Sequence, residues 1–351
     1  MQVSEEYVGL AHGAGGTMMR ELIEELFVGS YGSDELRQGD DAAVFSFPGA
    51  SSNLAFTTDS FVVTPRFFPG GDIGRLAVCG TVNDLATSGC QPFALSVAFI
   101  LEEGLPINEL KAICASIASA AAEAGVRIVT GDTKVVGKGQ ADGIFINTAG
   151  VGFFGNQKPL SGSYCRPGDK VLLSGTLGDH GIAILQAREG LAFTSDLKSD
   201  AAPLNHLTAA VLKAAPNCRC FRDPTRGGLA ATLNELASAS GVNIMIDEVS
   251  VPVKDKVRGA VEMLGFDVYQ VANEGKMVAI VPAEEAEAAL MAMRVDPQGL
   301  DAAIIGEVST TGTTSESRPE NATHTRVSVR TAFGSERIMD TLVGEQLPRI
   351  C

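Results

Sequence analysis

The sequence predicts an α/β (α+β) protein of two domains that ends in a flexible C-terminal tail. Three observations support this. At 351 residues the chain exceeds a single ordinary core. Short apolar runs alternate along it with segments of helical period, the pattern of sheets covered by helices. A stretch rich in Gly, Pro and Ser between Asn156 and Asp169 divides two such series.

Residues 1–40 read as a Gly-rich N-terminal segment, with a helix-like stretch from Met18 to Phe27. Residues 41–157 form the first domain: a strand (Asn53 to Thr58), a helix (Asp72 to Ser88), a strand (Phe93 to Leu101) and a helix (Ile107 to Ala124). A short strand (Val126 to Thr130), a Gly/Lys loop and a strand (Gly143 to Phe154) follow. Asp72 is the expected N-cap of its helix and Gly89 the expected stop. Residues 165–343 form the second domain, opening with Lys170-Val-Leu-Leu-Ser174. Helices are predicted at Gly181 to Arg188, Leu204 to Ala214, Gly227 to Ser238 and Ala283 to Met293. Strands are predicted at Asn243 to Ile246, Lys276 to Val281, Ala302 to Val308 and Thr325 to Val329. Ser309 to His324 reads as an exposed loop, and Ser335 as the cap of a short helix from Glu336 to Leu342. Residues 344–351 are the mobile tail, whose last seven residues reach roughly 25 Å at about 3.3–3.6 Å each.

The net charge of −15 opposes binding to nucleic acid or a membrane surface, but not to a nucleotide whose phosphates a cation bridges. The longest strongly apolar run, Phe93 to Leu101, is too short to span a bilayer. The first residues show neither a basic region nor an apolar signal core, so a cytoplasmic protein is expected. Seven scattered cysteines argue against a disulfide framework. Cys79 and Cys114 read as core residues. Cys218 and Cys220 also read as structural, since no second pair completes a zinc site. Cys351 is different: a thiol at the end of the chain, after Pro348-Arg349-Ile350, has the placement of a carrier or nucleophile.

Four acidic motifs carry the chemistry: Gly39-Asp40-Asp41-Ala42-Ala43, Thr57-Thr58-Asp59, Val82-Asn83-Asp84-Leu85-Ala86 and Thr130-Gly131-Asp132-Thr133-Lys134. Asp59 and Asp132 sit at strand ends, where α/β domains bind ligands. Any one of these aspartates is by itself a cap or a solvated turn. Together, hard oxygen ligands with Lys134 nearby suit Mg²⁺-nucleotide chemistry. The run containing Gly15 and Gly16 offers backbone N–H groups to phosphates, although it matches neither the P-loop nor the dinucleotide fingerprint. Asp223-Pro-Thr-Arg226-Gly-Gly opens a helix where Arg226 can meet phosphate. Glu274, in Asn273-Glu-Gly275, is a candidate acid or base.

These segments (GDDAA, TTDS, VNDLA, TGDTKV, DPTRGGLA and ANEGK) resemble the aminoimidazole ribonucleotide synthetase-like (PurM-like) ATP-binding superfamily. The N-terminal HGAGG and the terminal PRIC are similar to the hydrogenase maturation HypE family within it, over essentially the whole chain. The resemblance implies a ferredoxin-like N-terminal sheet domain (41–157) that binds ATP and dimerises, an α/β C-terminal domain and an acceptor Cys351. It implies a carbamoyl dehydratase that receives a carbamoyl group from the carbamoyltransferase HypF. With ATP the enzyme converts the S-carboxamide to an S-cyanate (thiocyanate). The cyano group then passes to iron on a HypC–HypD complex for [NiFe]-hydrogenase. It further implies ATP and Mg²⁺ as cofactors, with Asp41, Asp59, Asp84 and Asp132 at the metal. Asn83, Thr133, Gly15, Gly16 and Arg226 would join them at the nucleotide. Lys134 would have an electrostatic role, Glu274 would act as base and His12 as a helper on the lid. The alternatives are another ATP-dependent kinase or synthetase of the superfamily and a non-catalytic carrier subunit. The absence of a cysteine before Cys79 disfavours selenophosphate synthesis, and a thiamine-monophosphate kinase leaves Cys351 without a role.

Overall fold

A computed structural model describes residues 10–13, 15–31, 33–46, 53–189, 196–311, 325–342, 347 and 349–351. The N-terminal segment is helical, from Thr17 to Glu21 and then as a wider π-type turn from Leu22 to Val28. The first sheet holds β1 (Ala43–Ser46), β2 (Asn53–Phe61), β3 (Gln91–Glu102), β4 (Arg127–Val136) and β5 (Ile144–Phe153), in the order β1-β2-β5-β3-β4. Only the β3–β4 pair is parallel. Two helices, α1 (Ile73–Thr87) and α2 (Ile107–Ala124), cover one face. Asp72 caps α1 as expected, its carboxylate accepting from the N–H groups of Gly74 (2.7 Å) and Arg75 (3.1 Å). Alternation along β2 sends Ala55, Thr57 and Phe61 toward those helices and Phe56, Thr58 and Ser60 away from them.

The second sheet contains β6 (Lys170–Leu173), β7 (Cys220–Arg222), β8 (Asn243–Asp247), β9 (Val278–Val281), β10 (Ala303–Ser309), β11 (Val327–Arg330) and β12 (Glu336–Ile338). Their order is β12-β11-β8-β10-β6-β9-β7, and only β8 and β11 run parallel. Its helices are α3 (Asp179–Glu189), α4 (Asn205–Ala214), α5 (Gly228–Ser240), α6 (Asp255–Leu264) and α7 (Ala286–Val295). Both faces are covered. Val171 and Leu173 pack with α5 on one side, and Leu172 packs with α4 and α7 on the other.

Several expectations are corrected. Residues 336–338 are a strand, not the start of a helix. Gly334 adopts φ +83° in a turn closed by the Thr331 N–H to Ser335 carbonyl bond, and this folds the chain back onto β11. β4 continues through Val136, so Asp132, Thr133 and Lys134 lie inside a strand, because parallel pairing with β3 pins them. β1, β7 and α6 were not anticipated. Cys114 is exposed on the outer side of α2, whereas Cys79 is buried as expected. Most of the predicted 309–324 loop falls outside the described residues, as do residue 343 and, in the tail, 344–346 and 348. No described helix is long and apolar enough to cross a membrane.

The two domains are tied side by side. Asn83, 1% exposed on α1, accepts from the Leu204 N–H (2.8 Å) and donates to the Ala202 carbonyl (3.1 Å). Arg75 Nε donates to the Ala201 carbonyl at 2.6 Å, and the Ser199 N–H donates to the Pro69 carbonyl at 2.8 Å. The segment Ser199–Leu204 of the second domain is thereby fixed against the first.

Candidate active site

Three acidic motifs converge where α1 crosses β2. The Thr57 hydroxyl lies 2.9 Å from the Asp41 carbonyl oxygen and 3.1 Å from Asp84 Oδ2, so it ties the N-terminal turn to the helix. Asp41 Oδ1 meets Arg222 Nε at 3.1 Å, while its buried Oδ2 has no hydrogen-bond partner among the described residues. Arg222 also reaches Glu235 at 2.8 Å. Burial is the first cause that raises the proton affinity of this group. It pushes Asp41 up to about 8, against the pull of Arg222, and Asp223 up to about 6. Burial likewise raises Asp84 well above the carboxylate range, with Asp223, Asp41 and Asp59 adding like-charge repulsion. Asp59 is raised by burial while Arg226 opposes the shift. So many buried carboxyls cannot all ionise without a cation.

The Asn273-Glu-Gly loop comes from the second domain and is clamped on both sides. Asn273 accepts from the Gly178 N–H at 2.7 Å and donates to the carbonyls of Pro224 (3.1 Å) and Val271 (3.0 Å). The Glu274 N–H donates to Asp200 Oδ1 at 3.0 Å, and Lys276 Nζ lies 3.1 Å from Asp200 Oδ2. A Cβ at position 275 would stand 1.8 Å from the Asp200 carbonyl oxygen, so only glycine fits there. Glu274 itself is 4% exposed, and its Oε1 has no hydrogen-bond partner among the described residues. Burial first, then Asp223, Asp200 and Asp59, raise its proton affinity well above the usual range, against Arg226.

The described part of the tail is docked. It lies alongside residues 62–64. The Val62 N–H donates to the backbone oxygen of Cys351 (3.1 Å) and the Thr64 N–H to that of Arg349 (3.2 Å), while Arg349 Nε donates to the Val62 carbonyl (3.2 Å). Arg188 Nη2 donates to the Arg349 carbonyl at 3.0 Å. His180 Nε2 lies 2.7 Å from the Ile350 carbonyl. Ile350 is 4% exposed in the first domain's core cluster. The Cys351 thiol engages the Glu274 side chain and shares its surroundings with Arg226 and Asp59. Burial, then Glu274, push this thiol well above its ordinary range, so the docked sulfur keeps its proton.

Not every expected site residue is here. Lys134 pairs with Asp132 at 2.6 Å, and both side chains are more than 60% exposed. That pairing holds Asp132 below the usual carboxylate range. The sheet register explains the separation. Asp59 is level with Thr148, Thr148 with Val97, and Val97 with Gly131, so β4 lies three strands away, roughly 14 Å at about 4.8 Å per strand. Asp132 and Lys134 also alternate onto the helix-free face, with Ala98 and Ile100. Thr133 is exposed on the same edge strand. The Asn83 amide is occupied by its bonds to the second domain, so in this structure it ties the two domains together. Gly15 packs against Arg226: a Cβ there would stand 2.8 Å from the Arg226 carbonyl oxygen, and φ is +76°. Gly16 starts the first helical turn, its carbonyl accepting from the Arg20 N–H at 3.1 Å. His12 is buried in the Leu10–Gly13 turn that precedes them.

Sequence reasoning missed Asp223, Arg222, Asp200 and His180. Asp223 was within reach, as the first residue of a motif already singled out for Arg226. The other three carry no local pattern.

Residues 39–154 match the N-terminal domain of the AIR synthase related protein family, and residues 166–316 match its C-terminal domain. The chain is 50% identical over 351 residues to the carbamoyl dehydratase HypE of Cupriavidus necator, covering 100% of this chain and 97% of that protein. A crystal structure of a HypE–HypF complex contains a chain 46% identical, with a TM-score of 0.83 over 92% of this chain and 99% of that one. A crystal structure of HypE in complex with ATP is also 46% identical, with a TM-score of 0.80 over 98% of this chain and 100% of that one.

Proposed function

Because the chain belongs to the AIR synthase related family and, within it, to the carbamoyl dehydratase HypE family, we propose that it dehydrates an S-carboxamide on Cys351 to an S-cyanate with ATP. The cyano group would serve hydrogenase maturation in the cytoplasm. One observation carries the assignment to these residues: the Cys351 sulfur is docked against Glu274, beside Arg226 and Asp59.

The chemistry follows from the bonds that must change. An amide oxygen is a poor leaving group. When the carboxamide oxygen takes the γ-phosphoryl group of ATP, ADP leaves and the oxygen becomes part of a phosphate ester. Loss of the nitrogen protons then lets the C–O bond break, giving a nitrile on sulfur and inorganic phosphate. Such phosphoryl transfer depends mostly on positioning and charge neutralisation. Glu274 suits the proton removal, because its buried carboxyl has a raised proton affinity and an Oε1 with no hydrogen-bond partner among the described residues. Arg226, beside Cys351, Asp59 and Glu274, supplies fixed positive charge at the sulfur end.

The cluster also suits Mg²⁺. One or two of Asp41, Asp59 and Asp84 would hold it, with Asp223 behind them, and Asp41 Oδ2, without a hydrogen-bond partner among the described residues, fits a cation. Among the described residues no three His, Cys, Asp or Glu side chains are grouped tightly enough to hold a metal alone. That agrees with an ion held by one or two carboxylates and completed by phosphates. Such an ion would neutralise phosphate charge.

Carbamoylation would occur with the tail released, since the docked thiol is protonated and buried. The donor would be a HypF carbamoyltransferase, as in the solved HypE–HypF complex, and the acceptor a HypC–HypD complex. A homodimer fits the exposed helix-free face of the first sheet, where Phe56, Phe93, Ile100, Val151 and Phe153 are 37–46% exposed. In that dimer β4 of a second copy could bring Asp132 and Lys134 toward the nucleotide.

The test is the mass of the C-terminal peptide after carbamoylation, removal of nucleotide, and division into samples with and without Mg-ATP. A carbamoyl adduct on Cys351 that loses one water only with ATP supports the reading. An unmodified Cys351, with an active donor, returns the chain to a kinase-like activity.

A further inference from the structure

His180 takes no part in the chemistry above, yet it is fully buried on the first turn of α3 and touches the tail. Its Nε2 lies 2.7 Å from the Ile350 carbonyl, the peptide immediately before Cys351. A carbonyl only accepts, so Nε2 carries a proton. Nδ1 of the neutral ring is then the acceptor, and the Ser199 hydroxyl 2.8 Å away donates to it. Burial lowers the proton affinity of the ring, in keeping with this neutral form. The Phe68 ring stands edge-on at 5.6 Å and fixes the plane of the imidazole. Ser199 is itself held: its N–H donates to the Pro69 carbonyl (2.8 Å), and its Oγ accepts from the Ala201 N–H (3.1 Å).

The next residue in the chain, Asp200, accepts from the Glu274 N–H at 3.0 Å. Adjacent residues of one loop therefore register both partners of the reaction. Ser199, through His180, sets the peptide that carries the sulfur, and Asp200 sets the residue placed as the base. We propose that His180 is a positioning residue for the dehydration step, holding the Ile350–Cys351 peptide so that the sulfur-bound carboxamide meets Glu274. The proposal rests on the dehydratase reading. It deepens that reading by assigning the docked tail a specific latch whose loss affects the two half-reactions differently.

The test uses the full-length protein as His180→Leu, which removes the donor, and His180→Gln, which keeps an N–H donor at similar reach. Ser199→Ala, a smaller change, removes the hydroxyl that orients the ring. Each is carbamoylated by the carbamoyltransferase, freed of nucleotide and mixed with Mg-ATP in a single turnover, with the Cys351 peptide followed by mass. An orphaned buried carbonyl predicts dehydration slowed on the order of tenfold or more in His180→Leu, less in Ser199→Ala, and largely restored in His180→Gln. Carbamoyl acceptance is expected to be unchanged or faster in the same variants, and alkylation of Cys351 by iodoacetamide to rise in His180→Leu. Wild-type dehydration in both His180→Leu and Ser199→Ala would overturn the proposal. So would a parallel slowing of both half-reactions in both. If the wild-type protein itself loses no water, the dehydratase reading fails, and the alkylation rates alone decide whether His180 holds the tail.

Discussion

Replacing Ile350 by alanine loosens the tail without touching a reacting group. Ile350 is 4% exposed and packs in the cluster that includes Ile184, Ala201 and Ala272. Burying such a side chain is worth about 1.5–3 kcal/mol, and truncation to Ala at a site water can reach removes about 2 kcal/mol of it. The docked form already opposes itself, because Arg349 sits at φ +54°, a left-handed conformation costing about 1 kcal/mol or more for a side chain with a Cβ. A loss of about 2 kcal/mol multiplies the undocked population about 30-fold. The assay is the rate of Cys351 alkylation at neutral pH, read by mass on the C-terminal peptide. The docked thiol is held protonated by burial and Glu274, so labelling proceeds through opening and tracks its population. Cys114, exposed on α2, is an internal standard for reagent activity, and buried Cys79 reports global unfolding. The expected result is a rise of about 30-fold at Cys351 alone. An unchanged Cys351 rate, or Cys79 labelling in step with it, would refute the docked tail as a local equilibrium.

Cys351→Ala is expected to abolish thiocyanate formation and leave nucleotide affinity intact; weakened ATP binding in a titration would contradict that separation. Asp84→Asn is expected to weaken Mg-ATP binding measured by calorimetry, and unchanged affinity would remove Asp84 from the site. Glu274→Gln is expected to accept the carbamoyl group but dehydrate it about 10²–10⁴-fold more slowly, so a normal single-turnover rate would dismiss Glu274 as the base. The same variant has a pH signature. The folded protein keeps a proton on Glu274 that the unfolded chain releases near pH ~4.3, so wild-type stability falls as pH rises above that value toward the raised folded one. Melting temperatures from pH 4 to 8 should show the variant gaining on the wild type as pH increases; a constant gap would contradict the raised proton affinity.

Much of the site was legible because its chemistry sits in short segments with strong local requirements. Asp72 was readable as a cap since a helix start needs an acceptor for its first N–H groups. Glu274 was readable as a candidate because it sits between Asn273 and Gly275, on a loop where only glycine fits at position 275. Illegible was the face on which a motif would land. Asp132 and Lys134 matched the pattern as well as Asp59 did, but β4 ran further than its apolar core suggested. Its register then turned both side chains to the helix-free surface.

The sequence by itself determined the two-domain α/β plan, the acidic motifs, the base candidate and the family that unites them, because periodicity, turn chemistry and motif order are local properties of a chain. Only the tertiary structure decided which carboxyls are buried together, that Asn83 ties the two domains, and that the tail is docked on residues 62–64 beneath His180. Burial and long-range hydrogen bonds arise between residues distant along the chain: Ile350 and His180 are 170 positions apart, and no spacing rule within either segment announces their contact.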